Sequence, residues 1–202
     1  MLGLANHTTW TAIAVVALLT GLAPAQAEPV RIVAFGTSAT YGRYLPRGQD
    51  YPAKLEAALR ARGHDVRVTN AGKNGDFAVD ALARVDAAVP RGTQLVIVEF
   101  GVNEVKLKQQ DPASIRAQVG ALVDRVRARG AEVLLADYMQ LDLASVARAR
   151  GAQPFKWADP RLRDAKYQIP NDPLHHLNGA GYDILVQNML AAVEAAIGRL
   201  KR

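Results

Sequence analysis

Short apolar runs alternate with amphipathic segments along most of this chain, and each pair takes up roughly 30 residues. The strongest run is Leu95–Phe100 (LVIVEF), which has the length and the β-branched content of a buried strand. Strands that alternate with helices form βαβ units, which build a parallel sheet covered by helices on both faces. The pattern therefore predicts an α/β fold with one domain, a three-layer α/β/α sandwich around a parallel sheet.

The individual elements are predicted from apolar periodicity and from glycine, proline and N-cap signals. Four strands are predicted, at Val30–Phe35, Val66–Asn70, Leu95–Phe100 and Glu132–Ala136. Four longer helices are predicted, at Tyr51–Arg62, 76–88, Pro112–Arg129 and Ala180–Leu200. The second of these is expected to have Asp76 as its N-cap and to turn Val79, Leu82 and Val85 inward. The segment Tyr138–Pro173 contains four prolines and is expected to be irregular, apart from a short helix within Leu141–Arg150. A long irregular segment in a compact domain is often a functional loop.

The first 27 residues are predicted to be an export signal and not part of the fold. Trp10–Leu22 is mostly apolar, and Ala25-Gln26-Ala27 is a small-x-small cleavage site. No Lys or Arg precedes the apolar stretch, so a retained N-terminal anchor is the alternative. We expect export to the periplasm or the medium with cleavage after Ala27, which leaves a domain over residues 28–202.

The composition argues against several kinds of site. The chain has no cysteine, so neither a disulfide nor a cysteine metal site can form, and its four histidines form no cluster with metal-ligand spacing. We therefore expect no dedicated transition-metal site. The net charge is +6, but the basic residues are spread singly along predicted helix faces. This distribution is typical of a solvated surface, and without a nucleic-acid motif we expect no nucleic-acid partner.

Two segments that lie far apart in the sequence carry residues suited to nucleophilic catalysis. The strand Val30–Phe35 runs into Gly36-Thr37-Ser38, and a serine on a tight turn after a buried strand is well placed as a nucleophile. Near the other end of the chain lies Asp172-Pro173-Leu174-His175-His176. A serine hydroxyl is a weak nucleophile at neutral pH and needs a neighbouring base, commonly a histidine that an acid orients. The two segments together predict a serine hydrolase.

Further polar residues follow two other predicted strands at their carboxyl ends. Asn74-Gly75-Asp76 follows the second strand, and Gly101-Val102-Asn103-Glu104 follows the third. Because ligands of open α/β sheets bind at the carboxyl ends of the strands, we expect these residues to converge with Ser38. A glycine N–H and an asparagine amide can stabilise the oxyanion formed in acyl transfer. Each residue alone is better explained by an ordinary turn or a helix cap.

Four ordered blocks resemble the SGNH, or GDSL-type, hydrolases, and within them the bacterial periplasmic thioesterase, lysophospholipase and arylesterase group. The blocks are Gly36-Thr37-Ser38-Ala39-Thr40, VTNAGKNGD over residues 68–76, Gly101-Val102-Asn103-Glu104, and residues 172–181. The resemblance covers residues 30–200 and implies a flavodoxin-like SGNH hydrolase fold. It also implies that Ser38 is the nucleophile and that a histidine of the last block, oriented by Asp172, is the base. The implied oxyanion hole consists of the N–H groups of Ser38 and Gly75 and the side-chain amide of Asn103.

The chain departs from the family pattern at three points. Thr37 stands where the family has an aspartate that braces the turn, and Glu104 stands where it has a second aspartate. In the last block, one residue is extra between the acid and the base, so His175 keeps the spacing to Asp172 and His176 keeps the spacing to the following Asn and Gly. We expect His176 to be the base, because its register leads straight into the final helix. His175 is the alternative base.

The resemblance implies an exported serine ester hydrolase that cleaves carboxylic esters or thioesters of small molecules or lipids through an acyl-serine intermediate, without a cofactor. We expect a monomer. One alternative is a deacetylase or acyltransferase that acts on envelope or extracellular polysaccharide. Another alternative is a catalytically silent member of the family that binds a carbohydrate or a lipid.

The segment Tyr138–Pro173 is the predicted substrate-facing part of the domain. It carries two aromatic residues, Phe155 and Trp157, beside six basic ones: Arg148, Arg150, Lys156, Arg161, Arg163 and Lys166. One hypothesis is a cationic, aromatic lip that contacts an anionic membrane or polymer. The alternative is a solvated loop whose two aromatic side chains pack inward.

Overall fold

A computed structural model describes residues 28–138 and 140–200, so the predicted export signal over residues 1–27 lies outside the described residues. Five strands form one parallel sheet in the order β2-β1-β3-β4-β5. They are β1 (Val30–Gly36), β2 (Val66–Asn70), β3 (Leu95–Glu99), β4 (Glu132–Asp137) and β5 (Gln153–Lys156). The predicted parallel sheet is confirmed, and helices cover both of its faces.

The described helices comprise five that pack on the sheet and two short ones beside its carboxyl edge. The packed helices are α2 (Tyr51–Ala61), α3 (Ala78–Ala88), α5 (Pro112–Arg127), α6 (Leu143–Ala149) and α7 (Gly179–Leu200). The short ones are α1 (Ser38–Tyr41) and α4 (Val102–Lys106), which directly follow β1 and β3. Helices α3, α5 and α6 share one apolar core with the sheet, and α2 and α7 share the other.

The two cores are built from alternate residues of the same strands. Val33 and Phe35 of β1 face the core beneath α3 and α5, whereas Ile32 and Ala34 face the core beneath α2 and α7. Successive side chains of a strand point to opposite faces, so strands covered on both sides must be apolar throughout. Each fully buried large apolar side chain of this kind contributes about 1.5–3 kcal/mol of transfer free energy.

The segment that was expected to be irregular holds more structure than its sequence predicts. It contains α6, which lies within the predicted helix, and also strand β5, which was not predicted. Strand β5 pairs with β4 in the register Ala136↔Phe155 and forms the edge of the sheet. An edge position tolerates Pro154, which cannot donate a ladder hydrogen bond. Phe155 is buried and anchors the strand to the core.

Helix α3 begins differently from the prediction. Asp76 as its N-cap was wrong, because Phe77 occupies that position and has no capping side chain. The N–H of Ala78 instead donates to Oε1 of Glu104, at 2.6 Å, so a carboxylate from the neighbouring loop caps the helix. The predicted inward face is confirmed for Val85, which is buried, and for Leu82, which packs against the core, but Val79 was wrong, since it is 47 % exposed.

The order of the strands determines where a ligand can bind. The chain runs outward from β1 to β2 and then returns to β3 on the other side of β1, so β1 and β3 are neighbours at the point where the direction of winding reverses. Open α/β sheets bind ligands in the crevice at this point, beyond the carboxyl ends of the strands. The loops that follow β1 and β3 carry Ser38 and Asn103.

Candidate active site

Ser38 is the first residue of α1, directly after β1. The helix has a single turn, which Thr37 caps at its start and Gly42, with φ of 78°, ends. Gly36 allows the turn to be tight, because a Cβ at this position would collide with Oγ1 of Thr40 and with the carboxylate of Glu99. The turn therefore fixes the predicted nucleophile beside the carboxyl edge of the sheet, where its side chain is largely buried.

The structure brings Ser38, His176 and Asp172 together in one chain of hydrogen bonds. The distance from Nε2 of His176 to Oγ of Ser38 is 2.7 Å, and Nδ1 of His176 lies 2.6 Å from Oδ2 of Asp172. Since an ionised carboxylate only accepts hydrogen bonds, the proton of the imidazole belongs on Nδ1 and Nε2 can accept from the serine hydroxyl. All three residues are buried.

The carboxylate of Asp172 is held in place by two donors from the same residue. Its Oδ2 also accepts the backbone N–H of His176, at 2.6 Å. Burial raises the pKa of Asp172, but the hydrogen bonds from the N–H and the ring of His176 outweigh burial and hold this pKa below its ordinary value. An ionised acid of this kind orients the imidazole and stabilises its protonated form.

The extra residue between acid and histidine is accommodated by the backbone of His175. This residue has a φ of 56°, and its N–H donates to the carbonyl oxygen of Asp172. The left-handed conformation lets the chain turn back so that His176 reaches Asp172. The ring of His175 instead lies 2.9 Å from Oε1 of Gln168, measured from Nδ1.

The predicted oxyanion donors lie on three loops at the same edge of the sheet. Asn103 is 2 % exposed, and its side-chain amide donates to the carbonyl oxygen of Asp76 at 2.7 Å, which leaves its second N–H available. Gly75 is exposed and has a φ of 72°, which favours glycine. Within residues 28–138 and 140–200, no backbone carbonyl accepts the N–H of Ser38 or of Gly75.

The side chain of Asn70 fixes the loop after β2 and connects it to α1. Asn70 donates from its side-chain amide to the carbonyl oxygen of Thr40 at 2.9 Å, and its Oδ1 accepts the N–H of Gly72 at 2.9 Å. A Cβ at Gly72 would collide with the backbone of Tyr41, so the loop can approach α1 this closely only with glycine there. The Asn-Ala-Gly sequence of the second block thus sets the distance between Gly75 and the serine turn.

The analysis of the sequence missed Glu99, the last residue of β3. Its carboxylate is 1 % exposed and accepts hydrogen bonds from the N–H and the hydroxyl of Thr37, and from the hydroxyls of Thr40 and Tyr138, each at 3.0 Å. Burial raises the pKa of Glu99, and the hydrogen bonds from Thr37 and Thr40 partly counteract that effect. A single carboxylate in the otherwise apolar run LVIVEF was the signal that could have found it.

The sequence itself matches a model of the GDSL-like lipase/acylhydrolase family over residues 34–186. The chain belongs to this family. The matched residues include Ser38, Gly75, Asn103, His175 and His176. The match confirms the resemblance stated from the four blocks.

Similar proteins of this family include the esterase TesA of Pseudomonas aeruginosa, which is 34 % identical over 112 residues. These residues make up 55 % of this chain and 54 % of that protein, so the chain spans about half the length of this relative. Two solved structures agree over most of the fold. A structure of TesA is 22 % identical with a TM-score of 0.74, covering 82 % of this chain and 99 % of that one. The SGNH-hydrolase family esterase AlinE4 is 29 % identical with a TM-score of 0.63, covering 85 % and 98 %.

A cavity of about 1080 Å³ opens beside Ser38 and His176 in this GDSL-like fold. Its walls are largely apolar and come from β5, α4 and the segments around them: Val102, Tyr138, Phe155, Trp157, Leu162 and Leu177. Lys106 also lines the cavity and donates to the carbonyl oxygen of Leu174 at 2.8 Å. Burial lowers the pKa of Lys106, and the charge of Asp172 partly counteracts that effect.

The basic residues of the segment 138–173 divide into two groups. Arg150, Arg161 and Lys166 form ion pairs with Asp124, Asp159 and Asp164. Arg148, Lys156 and Arg163 line the cavity, and within the described part of the chain they form no ion pair. Phe155 is buried and packs against Trp157, with ring centroids 6.0 Å apart, so these aromatic side chains are part of the cavity wall and of the core.

No group of three or more His, Asp or Glu side chains among residues 28–138 and 140–200 is arranged to hold a metal ion. Over the same residues, no helix combines the length and the apolar character needed to cross a bilayer.

Proposed function

We propose that the protein is an exported serine ester hydrolase that cleaves carboxylic esters or thioesters through an acyl-serine intermediate. The observation that carries the proposal is the buried chain of hydrogen bonds from Ser38 through His176 to Asp172. Ser38 and His176 line the cavity. A serine, a base and an orienting acid in this geometry form the constellation that activates a hydroxyl for attack on an acyl carbon. Membership in a family of lipases and acylhydrolases supports the same reaction class.

In the first half of the reaction, Oγ of Ser38 attacks the acyl carbon while Nε2 of His176 takes the hydroxyl proton. Asp172 stabilises the resulting imidazolium through the hydrogen bond to Nδ1. The carbonyl oxygen becomes an oxyanion, which the N–H groups of Ser38 and Gly75 and the amide of Asn103 stabilise. One donor of this kind contributes about 2.7–4 kcal/mol to transition-state stabilisation.

The intermediate then collapses and the bond to the leaving group breaks. The departing alcohol or thiol takes the proton from Nε2 of His176, and Ser38 is left as an acyl ester. A water molecule attacks this ester while His176 again accepts a proton, and the carboxylic acid leaves as Ser38 regains its hydrogen. No cofactor takes part in any step.

The cavity supports a substrate with an apolar part and an anionic part. Its volume of about 1080 Å³ is at the upper end of the range for small-molecule sites. Its apolar walls suit an acyl chain or an aryl group. The lining also carries four acidic residues, Glu99, Asp137, Asp142 and Asp159, so the proposed contact with an anionic lipid or polymer rests on the three cations that form no ion pair in the described structure, Arg148, Lys156 and Arg163. The proposed contact with an anionic membrane is peripheral. All groups of the proposed site come from one chain, which supports a monomeric enzyme.

The proposed reaction is tested with p-nitrophenyl esters from acetate to palmitate, using wild type and Ser38→Ala. We expect wild type to turn over at least part of the series, and Ser38→Ala to lose turnover by about 10⁴-fold or more while remaining folded. The matched control is Ser114→Ala, which removes an exposed serine hydroxyl on α5 and should leave kcat unchanged. Retained turnover in Ser38→Ala would contradict the acyl-serine mechanism.

A fluorophosphonate probe separates the remaining possibilities. Labelling of Ser38 without turnover of any p-nitrophenyl ester would favour a specialised polysaccharide ester as substrate. A folded wild type that neither labels nor turns over would favour a silent binding member of the family. Export is tested by fractionating cells that express residues 1–202, where we expect the processed protein to begin at Glu28.

A further inference from the structure

We infer that Glu99 is a positioning residue for the proposed oxyanion hole, because its carboxylate connects the turn that carries Ser38 to the loop that carries Asn103. The inference rests on the acyl-serine reaction proposed above. It assigns a role in the reaction to a group that touches none of Ser38, His176 and Asp172 through a hydrogen bond within the described structure.

The position of Glu99 follows from the register of the sheet. Gly36 of β1 and Glu99 of β3 are paired residues at the carboxyl ends of neighbouring strands. Because Gly36 has no side chain, the carboxylate of Glu99 can turn across β1 and lie beneath the serine turn. A buried carboxylate is retained only where hydrogen bonds satisfy it, and here the donors come from two separate segments, the serine turn and Tyr138 after β4.

The first link runs from Glu99 to the serine turn. Oε2 accepts both the N–H and the hydroxyl of Thr37, the residue before Ser38, and the hydroxyl of Thr40 in the same turn. The hydroxyl of Thr37 is also the acceptor for the N–H of Ala39, so its own hydrogen is available for the carboxylate. These contacts hold the peptide before Thr37 and the side chains of Thr37 and Thr40 on either side of Ser38, and so restrict the direction of the Ser38 N–H.

The second link runs from Glu99 to the Asn103 loop. The hydroxyl of Tyr138 accepts the N–H of Val102 at 3.2 Å and donates its own hydrogen to Oε1 of Glu99 at 3.0 Å. Val102 immediately precedes Asn103, so this hydrogen bond fixes the backbone from which the Asn103 amide projects. Glu99 is the acceptor common to both links.

An amide cannot take the place of this carboxylate. At the Oε2 position a glutamine NH₂ group would oppose the backbone N–H of Thr37. At the Oε1 position it would force the hydroxyl of Tyr138 to turn its hydrogen away from residue 99. A displacement of either loop by a fraction of an ångström is enough to lower kcat, since oxyanion donors act only at short range. Glu99 and Tyr138 also line the cavity, but the carboxylate is 1 % exposed and bonded to Thr37 and Tyr138, so substrate binding should change little.

The test compares Glu99→Gln with wild type and with Glu56→Gln. The control residue also accepts a backbone N–H, that of Val68 at 2.6 Å, but belongs to α2, away from the cavity. For p-nitrophenyl acetate we expect Glu99→Gln to lower kcat by about 10- to 100-fold with KM within about twofold. The rate of fluorophosphonate labelling of Ser38 should fall in parallel. Glu56→Gln should lower thermal stability and leave both rates of the folded enzyme unchanged.

A second carboxylate supplies the rescue. Because Oγ1 of Thr37 lies 3.0 Å from Oε2 of Glu99, Thr37→Asp brings a carboxylate to nearly the same place. In wild type this substitution should lower kcat, since two buried carboxylates would then be adjacent. In Glu99→Gln it should raise kcat by at least about threefold, because the new acid restores an acceptor for the loop. This reversal of sign is not expected if Glu99 serves folding alone.

Tyr138→Phe isolates the link to the Asn103 loop if Glu99→Gln proves too unstable to fold. It deletes one hydroxyl, and we expect kcat of the folded enzyme to fall by about 3- to 10-fold. The melting temperature should fall by a few degrees, because Glu99 and the N–H of Val102 each lose one partner. A kcat within about twofold of wild type in folded Glu99→Gln, or in Tyr138→Phe, would overturn the inference. Failure of wild type to label at Ser38 would overturn the proposed function itself and the inference with it, and wild type alone reveals that outcome.

Discussion

The side-chain amide of Asn103 donates a hydrogen bond to the backbone carbonyl oxygen of Asp76, with 2.7 Å between Nδ2 and the oxygen. Both residues are buried, and Asp76 directly follows Gly75. This contact joins the loop after β3 to the loop after β2, so two of the three proposed oxyanion donors have a fixed relative position. The arrangement depends on whatever holds Asp76 in place.

Arg84 holds Asp76 and three further parts of the site. Its guanidinium donates to Oδ2 of Asp76 at 2.7 Å and to the carbonyl oxygens of Ala71 and Gly36, and it lies over the ring of Phe35 at 4.5 Å. The carboxylate of Asp76 is buried, with Lys73 at 3.6 Å as its other cation. Removal of one partner from a buried ion pair leaves an uncompensated charge.

We therefore predict that Arg84→Met lowers the free energy of unfolding by about 3–5 kcal/mol, measured by urea denaturation. The control is Arg125→Met, which removes an exposed pair with Asp86 and should cost no more than about 1 kcal/mol. The double variant Arg84→Met with Asp76→Asn should lose less than the single variant, because the buried charge is gone. Equal losses for the two single arginine variants would show that the Asp76 pair is not a buried structural link.

A comparison of two glycines tests the role of the Gly75 N–H. Gly75 and Gly130 have φ values of 72° and 87°, and a Cβ at either position would meet no atom within 4 Å. Alanine should therefore cost a similar amount at both sites, about 1–2 kcal/mol of unfolding free energy, through backbone strain alone. If the N–H of Gly75 stabilises the oxyanion, Gly75→Ala should also lower kcat by about 10-fold or more, whereas Gly130→Ala should not. Equal kcat values in the two variants would argue against Gly75 as a donor.

The two adjacent histidines should differ sharply in their effect on turnover. His176→Ala removes the group that lies 2.7 Å from the Ser38 hydroxyl and should lower kcat by about 10⁴-fold or more. His175→Asn keeps a residue that tolerates a φ of 56° and loses only the hydrogen bond to Gln168, so kcat should stay within a few-fold of wild type. Assays of kcat on both purified variants measure this difference. Loss of turnover in His175→Asn alone would identify His175 as the base.

The centre of the sheet could be predicted because β1, β3 and β4 are largely buried on both faces and therefore consist of short apolar runs. A run such as Leu95–Glu99 can be recognised as a strand from its own sequence, without knowing which strands it pairs with. Strand β5 could not be predicted, because four residues including Pro154 carry little strand signal and the pairing with β4 supplies the rest. The prediction of Asp76 as a helix cap rests on residue type alone. In the fold, the carboxylate of Asp76 forms an ion pair with Arg84, and Glu104 accepts the N–H at the start of α3.

The candidate site could be predicted as a set of residues but not as a geometry. Four sequence blocks point to Ser38, Gly75, Asn103 and the acid–histidine segment, and the fold places all of them at one edge of the sheet. The role of Glu99 could not be predicted, since only the register Gly36↔Glu99 brings its carboxylate beneath Thr37. Likewise, the left-handed backbone of His175 explains how three residues can lie between Asp172 and His176, whose side chains are in contact.

The lowered pKa of Asp172 predicts how stability depends on pH. Because the folded state binds this proton less tightly than the unfolded chain, Asp172 stabilises the fold above the ordinary aspartate pKa of about 3.9, and this contribution is lost as the pH falls through the lower folded value. Asp172→Asn has no proton to lose. The difference in unfolding free energy between wild type and Asp172→Asn should therefore be constant above about pH 5 and should shrink below about pH 3.9. Urea denaturation of both proteins between about pH 2.5 and 6 measures it, and a difference that stays constant over this whole range would contradict the hydrogen bonds from His176 to Asp172 as the source of the shift.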